Sequence, residues 1–192
     1  MKIDLFRRRD QSLFCAVIFL LGGSLAFLGA KAWLAERWNA SSNPILWRKA
    51  AQLEPGDAQY WRHLGLYKQW RVGEGGIREA IGNLERATQT DPRSATLWMD
   101  LADAYQSSGE RVRAQQAYEK AQADYPMSAE VAWRYGSFLL YHGNVPAGYA
   151  EIKRALLVDP SLAASAIAEC WQTWTSRHRS PQRKFSPSQF PD

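Results

Sequence analysis

Residues 98–126 read WMDLADAYQSSGERVRAQQAYEKAQADYP. Trp98, Leu101, Ala102 and Tyr105 recur at helical spacing, and after Gly109 so do Ala114, Tyr118 and Ala121, with Pro126 closing the stretch. The pattern is two amphipathic helices joined by a glycine turn. Neither helix can bury its apolar stripe alone, so the pair needs neighbours. A shift of 34 residues finds them: Gly143, Ala155 and Pro160 lie one period on, and Ala80, Ala87 and Pro92 one period back.

The repeat extends outward in both directions. Trp61, Leu64 and Gly65 open a unit that closes with Ala80, Leu84, Ala87 and Pro92. That unit is longer than the central one, and 71-RVGEGG-76 is the expected glycine-rich turn that holds the extra residues. Ala132, Tyr135, Gly136 and Leu139 fill the first helix of the third unit, with Gly148 and Ile152 in its second. Before the first full unit, Trp47, Ala50 and Pro55 match second-helix positions. Their missing partner is the segment around Ala32 to Asn39.

Helix ends carry their own marks. Asp57, Ser94, Ser128 and Ser161 are expected N-caps, and Gly109 and Gly143 sit where a left-handed residue stops a helix. One more amphipathic helix, 161–175 with Leu162, Ile167 and Trp171, is expected to cap the array. The layout is a basic flank over 1–11, a transmembrane helix over 12–32 and a repeat domain over 33–175. That domain divides into a half-repeat 43–56, repeats 57–93, 94–127 and 128–160, and the capping helix. The segment 176–192, rich in Ser, Pro and Arg, reads as a disordered basic tail.

In-register recurrence over about 43–175 makes the chain resemble tetratricopeptide-repeat proteins. The resemblance implies an all-α architecture, a right-handed superhelix of helix pairs whose concave face holds peptide segments or partner proteins. With an apolar segment in front, the chain also resembles bacterial envelope proteins that carry such repeats.

That apolar segment runs from Ser12 to Ala30 without a charge, about the length needed to cross a ~30 Å hydrocarbon layer. Trp33 and Trp38 follow at interface positions, and Gly22, Gly23 and Gly29 suit a membrane helix better than a soluble one. A buried core helix rarely keeps this length uninterrupted. Cys15 stands too early for a lipoprotein signal. A cleaved signal peptide has the small-x-small form at Ala30-Lys31-Ala32, but its apolar run is long and the Lys ill placed. An uncleaved anchor is the expectation. Lys2, Arg7, Arg8 and Arg9 crowd the amino-terminal side, which orients the repeats outside the cytoplasm, in a bacterial inner membrane.

The net charge of +5 is unevenly placed. Residues 43–174 carry 14 Lys or Arg against 15 Asp or Glu, so the excess lies in the two ends and no basic stripe for nucleic acid is visible. No nucleic-acid partner, small-molecule substrate or cofactor is expected. Cys15 and Cys170 make no disulfide framework.

Catalytic motifs are lacking as well. The three histidines are far apart in register, and no HExxH, CxxCH, GxSxG or phosphate loop occurs. Asp100 and Asp103 share a helical face and have the spacing of an acid–base pair, but a solvated helix surface is the simpler reading. Cys170 reads as a small buried hydrophobe before it reads as a reactive thiol. The expectation is a protein without enzymatic activity.

Carried over by register, the resemblance places Arg62, Leu66 and Trp70, then Met99 and Asp103, then Trp133, Leu140 and Tyr141 on the concave face. The Lys/Asn set that clamps a peptide carboxylate in some chaperone-binding relatives is absent. Tight curvature or the anchor helix covering these apolar residues is one reading; a partner-binding groove is the other, since contiguous apolar and aromatic surface marks interaction sites. The function expected is that of a membrane-anchored adaptor. The alternative is an accessory subunit of a membrane enzyme system for envelope polysaccharide assembly or cytochrome maturation.

Overall fold

A computed structural model describes residues 8–41, 43–69 and 74–178. Every regular element among them is helical: α1 (Arg8–Asn39), α2 (Pro44–Leu53), α3 (Ala58–Gln69), α4 (Glu74–Thr90), α5 (Ala95–Ser107), α6 (Arg111–Asp124), α7 (Ala129–Tyr141), α8 (Val145–Val158) and α9 (Ala163–His178). A short 3-10 turn, Pro160–Leu162, leads into α9. The chain divides into two compact units, residues 1–92 and 93–192.

In the first unit, α1 continues without a break from the apolar stretch into the repeats. Its amino-terminal half leaves Phe19, Leu20, Leu25 and Phe27 exposed, whereas Ala35 near its other end is fully buried. Phe14–Asn39 is long and apolar enough to cross a membrane by length and composition. Ala35 packs with Ala50, Ala51, Tyr60 and Leu64 in one core, flanked by Trp38, Trp47 and Trp61. The end of α1 therefore pairs with α2 as the first helix of a repeat would. Lys31 meets Glu54 at 3.2 Å, and Trp47 Nε1 donates to Asn39 O at 3.0 Å and Ser41 O at 2.6 Å. The closest approach in this unit is between α3 and α4. A Cβ on Gly65 would stand 2.6 Å from Leu84 Cγ, so only glycine lets the two helices meet.

The second unit is a two-layer arrangement. α5 packs on α7 and α7 on α9, forming one layer, while α6 and α8 each pack against the helices that flank them in sequence. Its core is built from fully buried Leu97, Met99, Tyr118 and Val131, with the Tyr118, Tyr135 and Phe138 rings within 5.2–6.3 Å of one another. Ala114, Ala121 and Ala155 are wholly buried, as small residues must be where helices approach.

The two turns that separate paired helices are equivalent. Gly109 and Gly143 adopt φ of 82° and 84°. Gly109 N donates to Gln106 O and Glu110 N to Tyr105 O, and one repeat later Gly143 N donates to Leu140 O and Asn144 N to Leu139 O. Both are Schellman caps, in which a left-handed residue lets the chain reverse onto its own last carbonyls.

Several expected boundaries shift. Asp57 Oδ1 accepts from Gln59 N at 2.8 Å and Ser128 Oγ from Val131 N at 3.3 Å, but Ser94, although at the N-cap of α5, makes no side-chain cap bond. Ser161 is not a cap. Asp159 takes that role, accepting from Ser161 N and Oγ, because Pro160 at the start of the 3-10 turn moves the helix entry back by two residues. Those bonds hold the Asp159 carboxyl below its usual range. Gly75 and Gly76 lie in the first turn of α4, so the glycine-rich turn is shorter than its composition suggests. α9 runs to His178, three residues into the segment expected as tail. The tail from 179, the flank before Arg8 and Trp70 lie outside the described residues.

Candidate partner-binding groove

α5, α7 and α9 of the second unit together line a concavity of about 330 Å³. Asp103 and Gln106 come from α5, Trp133, Arg134 and Tyr141 from α7, and Glu169 from α9, with Tyr118 reaching in from α6. These helices supply the walls because α5, α7 and α9 lie in one layer of the second unit.

A charge clamp organises it. Arg134 Nη2 donates to Asp103 Oδ2 and lies 3.5 Å from Asp100 Oδ1, and Arg134 Nη1 lies 3.7 Å from Glu130 Oε1. Tyr118 donates its hydroxyl to the other Asp103 oxygen. Burial opposes the charge on Arg134, but Asp103, Tyr118 and Asp100 outweigh it and hold its pKa above the usual value. Burial, then Asp103, pushes the Tyr118 phenol far up, so it stays a donor. Asp100 and Asp103 thus share one guanidinium, and only Asp103 keeps contact with solvent: Asp100 is 5 % exposed.

The expected groove residues divide into three groups. Tyr141 is 77 % exposed, and Trp133 is half-buried at the edge of the concavity, its ring also packed on the Leu140, Ile152 and Ala166 core. Asp103 lines the same concavity. Met99 and Leu140, in contrast, are 2 % and 4 % exposed, so neither can touch a partner. Leu140 belongs to the core because Gly148 brings α8 against α7 there: a Cβ on Gly148 would stand 2.6 Å from Leu140 Cδ2. Met99 on α5 is among the fully buried side chains that build the core of this unit. In the first unit, Arg62 and Leu66 are half-buried on α3.

Arg134 goes unread in sequence, Tyr118 reads only as a position of the repeat core, and Glu169 does not read as a groove residue. For Arg134 a signal existed, since it stands 34 residues after Asp100, the same register position one repeat on. Equivalent positions of adjacent first helices face each other, so opposite charges one period apart predict a pair.

Two other hollows differ in character. Arg48, Lys68 and Arg86 surround one of about 360 Å³ on α2, α3 and α4, but Lys68 is tied to Glu79 at 2.5 Å and Arg86 lies over the Trp61 ring at 4.9 Å. An apolar one of about 590 Å³ lies between α8 and α9, lined by Tyr149, Ile152, Leu156, Ile167 and Cys170. Burial, then Glu169, raises the Cys170 thiol above its usual value, which disfavours the reactive thiolate. Among the described residues no group of three or more His, Cys, Asp or Glu is placed to hold a metal ion.

Residues 72–133 match the family model of the tetratricopeptide repeat. Solved structures agree over most of the chain. A thermophilic TPR protein of Thermus thermophilus, TTC0263, superposes with a TM-score of 0.56 at 18% identity, covering 80% of this chain and 97% of that one. The fold is that of the tetratricopeptide repeat. YrrB, a TPR protein described as having an unusual peptide-binding site, gives 0.54 at 17% identity over 70% of this chain and 67% of its own. The first TPR of Spaghetti (RPAP3), solved bound to the HSP90 peptide SRMEEVD, gives 0.53 at 20% identity over 63% and 93%. No curated protein sequence matches the chain.

Proposed function

We propose that the chain is a membrane-anchored adaptor that holds protein or peptide segments in the groove lined by α5, α7 and α9, on the extracytoplasmic side. The observation that carries the binding reading is the exposed Tyr141 beside half-buried Trp133 at a concavity formed by first helices. Aromatic side chains on such edges are the usual anchors of protein interfaces. Peptide binding by two of the structural relatives supports the same reading.

The anchor rests on α1. Its exposed apolar half and the half that packs under α2 are one continuous helix, about 48 Å long at 1.5 Å per residue. An exposed apolar surface of that size needs lipid or protein around it. Arg8 and Arg9 at its start, with Lys2 and Arg7 before them, favour a cytoplasmic amino terminus.

The test uses the full chain in its membrane. A photoreactive residue at 141 should crosslink a partner protein, whereas the same residue at Val112, also exposed but on the outer helix α6, should not. Absence of any adduct at 141, or equal adducts at both positions, would defeat the adaptor reading.

A further inference from the structure

The near neutrality of the repeats conceals a separation of charge. Within the second unit, the inner helices α5, α7 and α9 carry four carboxylates, Asp100, Asp103, Glu130 and Glu169, against two cations, Arg134 and Arg177. The outer helices α6 and α8 carry five Lys or Arg against three Asp or Glu. Sequence composition averages the two layers; the fold separates them.

Resting on the adaptor reading of the same groove, the geometry points to a partner segment that is basic, with Lys or Arg side chains set among apolar ones. Arg134 is already engaged by Asp103, Asp100 and Glu130, so it offers little to an incoming carboxylate. An acidic segment would meet the surplus negative charge of that cluster in a concave site, where the low-dielectric protein on either side concentrates the field. A cationic segment would meet the reverse. Glu130, its side chain 67 % exposed and only 3.7 Å from Arg134, can turn to a partner ammonium or guanidinium without uncovering a buried group. Glu169 lines the same concavity from α9.

The aromatic residues fit the same partner. Tyr141 and Trp133 come from one helix and line the concavity, the first with an exposed ring and the second with a ring half-buried against the core, and aromatic rings carry π faces. Such faces attract Lys and Arg and also pack against the aliphatic stems of those side chains. Gln106 in the same lining can accept from a partner backbone amide. The chemistry selected is therefore a cation carried on an apolar stem, repeated along a peptide.

Fluorescence anisotropy of labelled peptides with the full chain in uncharged detergent tests this. The probes are a short capped peptide of lysines among leucines and alanines, and the same peptide with glutamate for each lysine. The lysine peptide should bind about tenfold or more tighter, and its affinity should fall as salt is raised through the physiological range, where the Debye length shortens to about 8 Å. Asp103→Asn is the obvious variant but opens the clamp, so Glu130→Gln and Tyr141→Ala, with melting curves to show intact folding, carry the test. Each should weaken the lysine peptide by roughly threefold to tenfold. No binding of the lysine peptide, tighter binding of the glutamate peptide, or indifference to both variants would overturn the inference. Photocrosslinks from position 141 separate this from the underlying reading. Adducts to acidic or uncharged partner segments would overturn the basic partner and leave the adaptor standing; no adducts would remove both. Adducts to residues 179–192 of the same chain, which bring Arg183, Lys184 and Phe185, would replace the partner by the chain's own end.

Discussion

Small residues carry much of this structure, and their substitutions have directions that follow from distances. A Cβ on Gly148 would stand 2.6–3.0 Å from Leu140 side-chain and backbone atoms. Gly148→Ala should therefore lower stability by about 1–3 kcal/mol as α7 and α8 are pushed apart. Ala121→Leu, at a position with no exposed surface, should cost a similar amount. Chemical denaturation measures both, and an unchanged midpoint would mean the helix pairing is wrong. The two aromatic groove residues should behave differently. Tyr141→Ala removes an exposed ring and should leave the melting midpoint nearly unchanged while weakening partner capture. Trp133→Ala also strips a ring packed on Leu140, Ile152 and Ala166, so it should reduce both, by less than the ~3–5 kcal/mol of a fully buried Trp. Equal stability losses for the two variants would contradict this division.

Between elements, two polar ties matter. The Arg134 clamp joins α5 to α7 around the buried Asp100. Arg134→Ala would take a guanidinium away from that buried carboxylate, at a cost of about 3 kcal/mol, whereas removing Arg134 and Asp100 together should cost less than the sum. Additive losses in that double-mutant cycle would show the pair to be incidental. The second tie is His63 on α3, whose Nδ1 meets Asn39 Oδ1 of α1 at 2.7 Å. Burial and the Arg62 charge lower its pKa below 6.5, against weaker opposition from Asp57 and Glu36. His142 is lowered too, by burial and Arg111. A histidine with a depressed folded pKa binds its proton more readily when unfolded. Its stabilisation is full above pH about 6.5 and is lost as pH falls below that value. The melting midpoint should drop between pH about 7 and 5, and His63→Gln should shallow that drop. A midpoint that rises on acidification would reverse the sign and exclude the two histidines as its cause.

For the molecule as a whole, the continuity of α1 decides how the repeats can be cut free. A fragment starting at residue 41 lacks Ala35 and Trp38, which pack in the core with Ala50, Ala51 and Leu64. A fragment starting at residue 31 keeps them and the Lys31–Glu54 pair. Both should be helical by circular dichroism, and the longer should melt several degrees higher, since each kcal/mol is worth roughly 3–8 °C in a domain of this size. Identical midpoints would show that the end of α1 adds nothing to the first helix pair. Topology needs the intact chain. A reporter fused after Asp192 should behave as extracytoplasmic, and cytoplasmic behaviour would reverse the proposed orientation.

The sequence alone determined the helix pairs, their period and their turns, because these depend on local rules. Only glycine tolerates the positive φ at 109 and 143, and apolar residues at helical spacing demand a neighbour wherever they occur. Register also put Tyr141, Trp133 and Asp103 on the concave face, and the three line one hollow of the second unit. Which side chains stay at the surface was decided by packing. Met99 and Leu140 look like groove residues by register yet are buried; at Leu140 the reason is Gly148, which lets α8 close on α7 by an amount that no spacing encodes. The polar clamp is likewise tertiary: Asp100 and Arg134 lie 34 positions apart in sequence, and only the stacking of α7 on α5 brings their charges to 3.5 Å.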